Sequence, residues 1–465
     1  MASLFKRREM DLTSGSIIKK LILFAIPIIL TNMIDRLFNM TDTIMLGVMV
    51  SDKAVGAVSA ASTIDTLLID FFLGISGGVS IVVARHRGAK DLEGARRTVG
   101  TSLLICLIGG VFIGTIGFFG AETFLIWTNC DQTLMPLAVK YMKIYCAGIP
   151  IILLYNCIAG ILRAVGDSVR PLMFLTLGGF INIFLNAFFI LVCGLTVEGV
   201  AIGTVGSRFV SLILAYRLII KNDGFARFEY KHFKFYKKEI GQVLAVGVPT
   251  GIQSCLFGLS NVFVTSSVNS LGAAATTGAA ISKQLDAWSG TIGKGFSVGT
   301  MSFVSQNYGA KNFKRIKEAI IKAIIMVSLV QFSVGVIIYY LISPPFFSMM
   351  SSDPEVIKFA VMRNVWFSFF YFLCGMYEVF ALSMRAIGKS LTSMFISLIF
   401  VGAFRVIWLN TIFLLNPTFD MIFCIYPISW IMCMLVQVPI IVATIKKKEK
   451  QYNTEKNQIE QAQSV

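Results

Sequence analysis

Phe24-Ala25-Ile26-Pro27 returns 222 residues later as Val246-Gly247-Val248-Pro249, and the correspondence runs on from there. Gly56 falls on Gly278, Asp65 on Asp286, Gly74 on Gly295 and Gly78 on Gly299. Gly88-Ala89-Lys90 falls on Gly309-Ala310-Lys311, and Tyr155 with Arg163-Ala164-Val165-Gly166 on Tyr377 with Arg385-Ala386-Ile387-Gly388. The offset holds at 221 or 222 over roughly 140 positions, so the chain is two copies of one unit. In a membrane protein, such duplication puts a binding site between the halves and lets one half move against the other.

Composition identifies the solvent as lipid. Apolar residues make up 56% and charged residues 14%, with a mean hydropathy of +0.76. Soluble domains have roughly 45–50% and 25%. The net charge of +16 is spread over short basic clusters between apolar spans. These clusters are topology signals and attract anionic lipid rather than nucleic acid. The first apolar span, from Ile17 onward, is too long and too polar for the core of a cleavable signal peptide.

A span needs about 20 apolar residues to cross the hydrocarbon. The pattern predicts an all-α integral membrane protein, with twelve transmembrane helices arranged as two six-helix repeats around a central cavity. The expected domains are an N-lobe (1–220), a cytoplasmic linker (221–239), a C-lobe (240–446) and a polar, disordered cytoplasmic tail (447–465). The aromatic and basic linker reads either as a solvated connection or as an interfacial amphipathic segment. Pro27 and Pro249 lie inside the first span of each half, where proline removes a backbone hydrogen bond and bends a helix. Basic clusters (Lys6-Arg7-Arg8, Arg85 to Arg97, Arg163 to Arg170, Lys221 to Lys238, Lys311 to Lys317, Arg385 to Lys389, Lys446-Lys447-Lys448) alternate with loops holding acids and a single lysine, Lys53. The positive-inside rule then places both termini in the cytoplasm, in a multi-pass protein of the cytoplasmic membrane.

Charges inside spans are expensive and mark function. Asp42 is the clearest: its repeat position holds Val264, so the shared architecture does not explain it. Asn182 and Asn186 fall one turn apart on the fifth span and share a face. With Tyr141 and Thr204 they are candidate neighbours of Asp42, offering oxygen ligands that suit Na+ as well as a protonatable carboxylate. Further cavity candidates are Asp35, beside Arg36; Asp65 and Asp286, the latter one turn from Lys283; Asp70; and Glu378. Lys294 joins Asp70 as a charge without an obvious sequence partner. The 39 Phe and 20 Met suit lipid-facing and core positions, or an adaptable cavity lining.

The nine cysteines contain no CxxC pair and the two histidines stand alone, so neither a disulfide framework, a metal cluster nor histidine catalysis is indicated. No phosphate-binding loop is present in the sequence, so ATP hydrolysis within this chain does not power transport. No cofactor is expected.

The proline-bent first span, Asp42-Thr43-Ile44-Met45-Leu46-Gly47, Gly88-Ala89-Lys90, Gln306-Asn307-Tyr308-Gly309-Ala310-Lys311 and the paired Arg-Ala-x-Gly motifs resemble the multidrug and toxic compound extrusion (MATE) family over about residues 15–445. The resemblance implies a non-enzymatic exporter of drug-like, often cationic small molecules, exchanging them for Na+ or H+ by rocking two lobes. It implies a monomer whose partners are such compounds and membrane lipid. It also assigns a cation site to Asp42, Tyr141, Asn182 and Thr204. Asn186 departs from the pattern, because many members have aspartate there, and Asp42 is left to carry the coupling. Where one branch has a glutamate in the seventh span this chain has Phe257, and that branch's tenth-span acid falls near Cys374, one turn from Glu378.

Two rivals stand beside drug antiport. A flippase for lipid-linked or polysaccharide precursors of the same superfamily would need a more basic cavity, for which Lys283 and Lys294 are the candidates. A membrane-embedded transferase would need clustered histidines or paired acids, which the sequence lacks.

Overall fold

The computed structural model describes residues 9–463, and Lys6-Arg7-Arg8 lies outside them. Helices dominate: α1 (Ile17–Met49), α2 (Asp52–Gly88), α3 (Leu92–Trp127), α4 (Met135–Ala164), α5 (Val169–Leu191), α6 (Val197–Lys221), α7 (Lys237–Asn269), α8 (Ala273–Gly309), α9 (Phe313–Met350), α10 (Pro354–Ala386), α11 (Ser390–Leu415) and α12 (Ile425–Gln463). Eleven are long and apolar enough to cross a bilayer. The exception, α8, has the length, at 37 residues, but carries Lys283, Gln284, Asp286 and Lys294 along with several serines. Single π-helical turns interrupt α9 at Ile338–Ile342 and α11 at Leu398–Ala403. Such turns insert one residue into the ladder and rotate the face that follows.

The repeated motifs are helix ends. Lys90 and Lys311, which close the two Gly-Ala-Lys triplets, both take positive φ, 57° and 55°. Gly166 and Gly388, closing the two Arg-Ala-x-Gly motifs, have φ 82° and 89°. A left-handed residue satisfies the last carbonyls of a helix and turns the chain sharply. The next helix then starts on a side-chain cap: Asp91 Oδ1 accepts from Gly94 N at 2.9 Å, and Asn312 Oδ1 from Arg315 N at 3.2 Å. On the opposite loops, hydrogen bonds from the Thr133 hydroxyl and then its backbone N–H hold the Asp131 carboxyl below the usual carboxylate range.

By internal contacts the chain forms two units. Unit 1 holds Leu30–Ser254 with the described residues up to Asp11; unit 2 holds Leu12–Ile29 and the described residues from Cys255 onward. The units therefore do not divide at residues 221–239. Helix α1 changes unit just beyond Pro27, and α7 just beyond Pro249.

Unit 1 is built on close helix approach. Gly74 and Gly78 of α2 face Gly247 and Gly251 of α7, two GxxxG pairs in contact. A Cβ at Gly74 would lie 2.3 Å from Gly251 N, and one at Gly78 2.8 Å from Gly247 N. Small residues at this spacing let backbones meet, which is what drives helix association in lipid. In unit 2, Gly295 of α8 makes room for the Ile29 side chain of α1: a Cβ there would lie 2.2 Å from Ile29 Cγ1. The outer faces carry exposed Phe112, Phe119, Phe184, Leu329 and Leu341, as lipid requires.

Two expectations are corrected. The 221–239 connection is not a free solvated linker. It packs on α3, with Phe228 and His232 buried, the Thr101 hydroxyl donating to Lys234 O at 3.0 Å, and Glu229 paired with Arg96 at 2.6 Å. Residues 447–463 of the expected disordered tail continue α12 as helix, because Lys446-Lys447-Lys448 and the polar residues after them include no helix breaker.

Cys193 sits exposed on the α5–α6 turn, while the other eight cysteines are buried or half-buried. With cytoplasmic termini this turn faces outward. A membrane-impermeant maleimide is expected to label Cys193 in intact cells; labelling only after permeabilisation would invert the topology.

Candidate functional site

A cavity of about 650 Å³ lies inside unit 1, lined from α1, α2, α4, α5 and α6. Its titratable lining holds Asp35, Asp42, Asp65, Tyr141, Tyr145, Tyr155, Arg163 and Arg208. The lining thus holds three carboxylates and two guanidiniums. The aromatic lining is tyrosine, with neither Phe nor Met.

Asp42 meets its neighbours because α5 is amphipathic in the membrane sense. Its buried residues Phe174, Gly178, Asn182, Asn186 and Ile190 recur at helical spacing and form one inward stripe. Asn186 is 0% exposed and Asn182 4%. Asn186 Nδ2 donates to Asp42 Oδ1 at 2.7 Å, Thr204 Oγ1 donates to Asp42 Oδ2 at 3.4 Å, and Asn182 Nδ2 donates to Thr204 Oγ1 at 3.4 Å. The α6 backbone comes close enough for this because residue 203 is glycine: a Cβ there would lie 2.0 Å from Asn186 Oδ1. All the donors to Asp42 are neutral. The amide oxygens of Asn182 and Asn186 are buried without a hydrogen-bond partner. A carboxylate flanked by unsatisfied carbonyl oxygens and a hydroxyl is a donor set suited to a hard monovalent cation or to a proton. Tyr141 lines the same cavity, stacked on Tyr145 with ring centroids 5.8 Å apart.

Other predicted residues take different partners. Asp35 pairs with Arg208 of α6, not with neighbouring Arg36, and the Arg208 guanidinium lies 6.0 Å from the Tyr155 ring centroid. Asp65 is 3% exposed and lines the cavity. Asp70 is half-buried on α2 and is not part of the lining.

In unit 2, Asp286 pairs with Arg363 of α10 rather than with Lys283, which is exposed. Arg363 also donates to Ser282 Oγ at 3.2 Å and stacks 4.2 Å from the Phe367 ring centroid. Glu378 accepts from Ser297 Oγ at 3.2 Å. Lys294, the other cavity candidate of the sequence reading, is exposed. The sequence reading missed Arg208, Arg363 and Arg405, although each is a charge inside an apolar span and the same rule finds them. Arg405 is 0% exposed, donates from Nε and Nη2 to Ser429 Oγ at 3.1 and 2.9 Å, and lies 4.2 Å from the Tyr426 ring centroid.

Comparison with known proteins gives a consistent picture. The MatE family matches residues 27–188 and again 249–410, one match per repeat. The probable multidrug resistance protein YpnP of Bacillus subtilis is 27% identical over 84% of this chain and 87% of its own length. The probable multidrug resistance protein NorM of Thermotoga maritima is 25% identical over 87% of each. The outward-facing structure of a multidrug resistance MATE family transporter of the MOP superfamily superposes with a TM-score of 0.88 at 21% identity, covering 96% of this chain and 99% of that one.

Two substitutions test the geometry. Gly203→Ala is expected to push Asn186 off Asp42 and cost about 1.5–3 kcal/mol, the range for a hydrogen bond to a charged group. It should cost little in an Asn186→Ala background, so equal losses in both backgrounds would refute the contact. Asp286→Asn leaves Arg363 buried and unpaired, which costs about 3–5 kcal/mol. Melting in detergent should show that loss, and Arg363→Gln added to it should restore most of it.

Proposed function

This chain belongs to the MatE family of membrane transporters, and from that premise we propose that it is a secondary active efflux antiporter. It exports cationic or amphiphilic drug-like compounds in exchange for Na+ or H+ entering down its gradient. The multidrug assignments of the relatives and the slight excess of carboxylates in the cavity support this reading. A more basic lining, as a phosphate-bearing lipid precursor would need, is not what unit 1 has.

The observation that carries the proposal is the Asp42 cluster. An acid held only by neutral amide and hydroxyl donors, inside a span, balances its charge with a cation that comes and goes. Cation arrival changes the charge of α1 where Asn186 and Thr204 grip it. That gives the ion different affinities for two conformations, as coupling requires. Asn182, Asn186 and Thr204 supply the remaining oxygens for Na+, and Tyr141 closes the cavity wall beside them. In this scheme ion and substrate occupy the protein alternately in an alternating-access cycle. The termini stay cytoplasmic, as the basic loops direct.

The test is uptake of a cationic dye into proteoliposomes under a Na+ gradient alone and then a proton gradient alone. The wild type should respond to at least one. Asp42→Asn should lose the gradient-driven rate by about 100-fold or more, the scale expected when an essential interaction is removed. Undiminished ion dependence in Asp42→Asn would overturn the scheme.

A further inference from the structure

Asp65 and Asp286 occupy equivalent positions in the two repeats, but their surroundings differ in one respect. Asp286 is neutralised by Arg363. At an offset of 222, fixed locally by Asp131 with Asp353 and Ala138 with Ala360, the residue corresponding to Arg363 is Tyr141. Unit 1 keeps the buried acid and replaces its fixed cation with a neutral phenol. A purely architectural acid would keep the pair that unit 2 shows.

The surroundings of Asp65 bear this out. Cys146 Sγ donates to Oδ1 at 3.6 Å, a weak bond, and Oδ2 is buried without a hydrogen-bond partner. From α4 the facing titratable groups are Tyr141, Tyr145 and Cys146; from α1 they are Asp42 and Asp35, the latter already held by Arg208 of α6. Arg163, also in the lining, is 18 residues beyond Tyr145 on α4, about 27 Å along the helix axis. The side chain is 3% exposed, yet it borders a cavity of about 650 Å³ with a mixed polar wall, roomy enough for water.

We propose that Asp65 is a second cation-exchange site of this transporter, distinct from the Asp42 cluster, and that the cation it exchanges is a proton. The inference rests on the antiport reading for its role in the cycle. Na+ is disfavoured because the one side-chain donor to the carboxyl is a soft sulfur, and hard cations take several oxygens. An organic ammonium is disfavoured because Oδ2 lies too deep for a substituted nitrogen to reach. A proton needs neither ligands nor space. The step is simple acid dissociation: the Oδ–H bond breaks, the electron pair stays on the carboxylate, and the proton passes to cavity water and back. The two sites share a cavity and no hydrogen-bond partner. Asp42 is gripped from α5 and α6, Asp65 from α4. Each turnover then moves one proton at Asp65 in addition to the ion at Asp42.

Infrared difference spectroscopy of the purified full-length protein between acid and alkaline buffer tests this directly. The wild type is expected to lose a carbonyl-stretch component of a protonated carboxyl. That component should be absent in Asp65→Asn and present in Asp42→Asn. Its persistence unchanged in Asp65→Asn would overturn the proposal. If Asp65→Asn does not fold, Asp65→Glu decides: the component should shift in frequency, and an unshifted band refutes the assignment. An Asp42→Asn protein that kept full ion-dependent transport would sink the coupling scheme while leaving this band assignment standing, so the two failures are separable.

Discussion

An ionised side chain in the middle of a bilayer has no bulk water to fall back on. It must be satisfied by another side chain or by a cation that it exchanges. Much of the polar interior of this protein follows from that constraint. Asp35 finds Arg208, Asp286 finds Arg363, and Arg405 settles for Ser429 and the face of Tyr426. Asp42 and Asp65 have only neutral donors, as does Glu378 of unit 2. The two aspartates line one cavity in unit 1. The fixed pairs hold structure, while Asp42 and Asp65 are where we propose that an exchangeable charge binds.

The scaffold that brings these groups together is made by absence of side chains. Paired glycines on α2 and α7 let two backbones meet, and Gly295 of α8 makes room for the Ile29 side chain of α1. Gly203 does for α6 and Asn186 what those contacts do for whole helices. Glycine is conformationally costly in a helix interior, by about 1 kcal/mol relative to alanine. Its presence at these positions is a packing requirement of helices that associate in lipid, where apolar burial alone provides little drive.

Much of this was legible in the chain. The duplication and the helical spans followed from spacing and composition, because a bilayer enforces length and apolarity on every span, and the family from the motifs that resemble it. The Asp42 group was legible too: a charge in an apolar run, and two asparagines one turn apart, are conspicuous on any helix. The reading failed where it looked for partners nearby. Arg36 and Lys283 are local choices for Asp35 and Asp286, but the partners lie 173 and 77 residues away. Helical neighbours share a helix face; they do not decide which helix packs across from it.

Periodicity and the cost of lipid exposure act on one segment at a time, so the sequence alone determined which apolar segments are helices, where they turn and which charges are out of place, though not that the polar tail continues α12. Partner choice depends on which faces meet, and that is set by packing between segments distant in the chain, as where Gly203 lets α6 approach Asn186. Only the tertiary structure could show that Asp286 has a guanidinium against it while its repeat equivalent, Asp65, has a thiol and an unsatisfied oxygen. Two helices with the same buried acid differ in chemistry because Arg363 pairs with it in one case, while the equivalent position in the other repeat holds Tyr141.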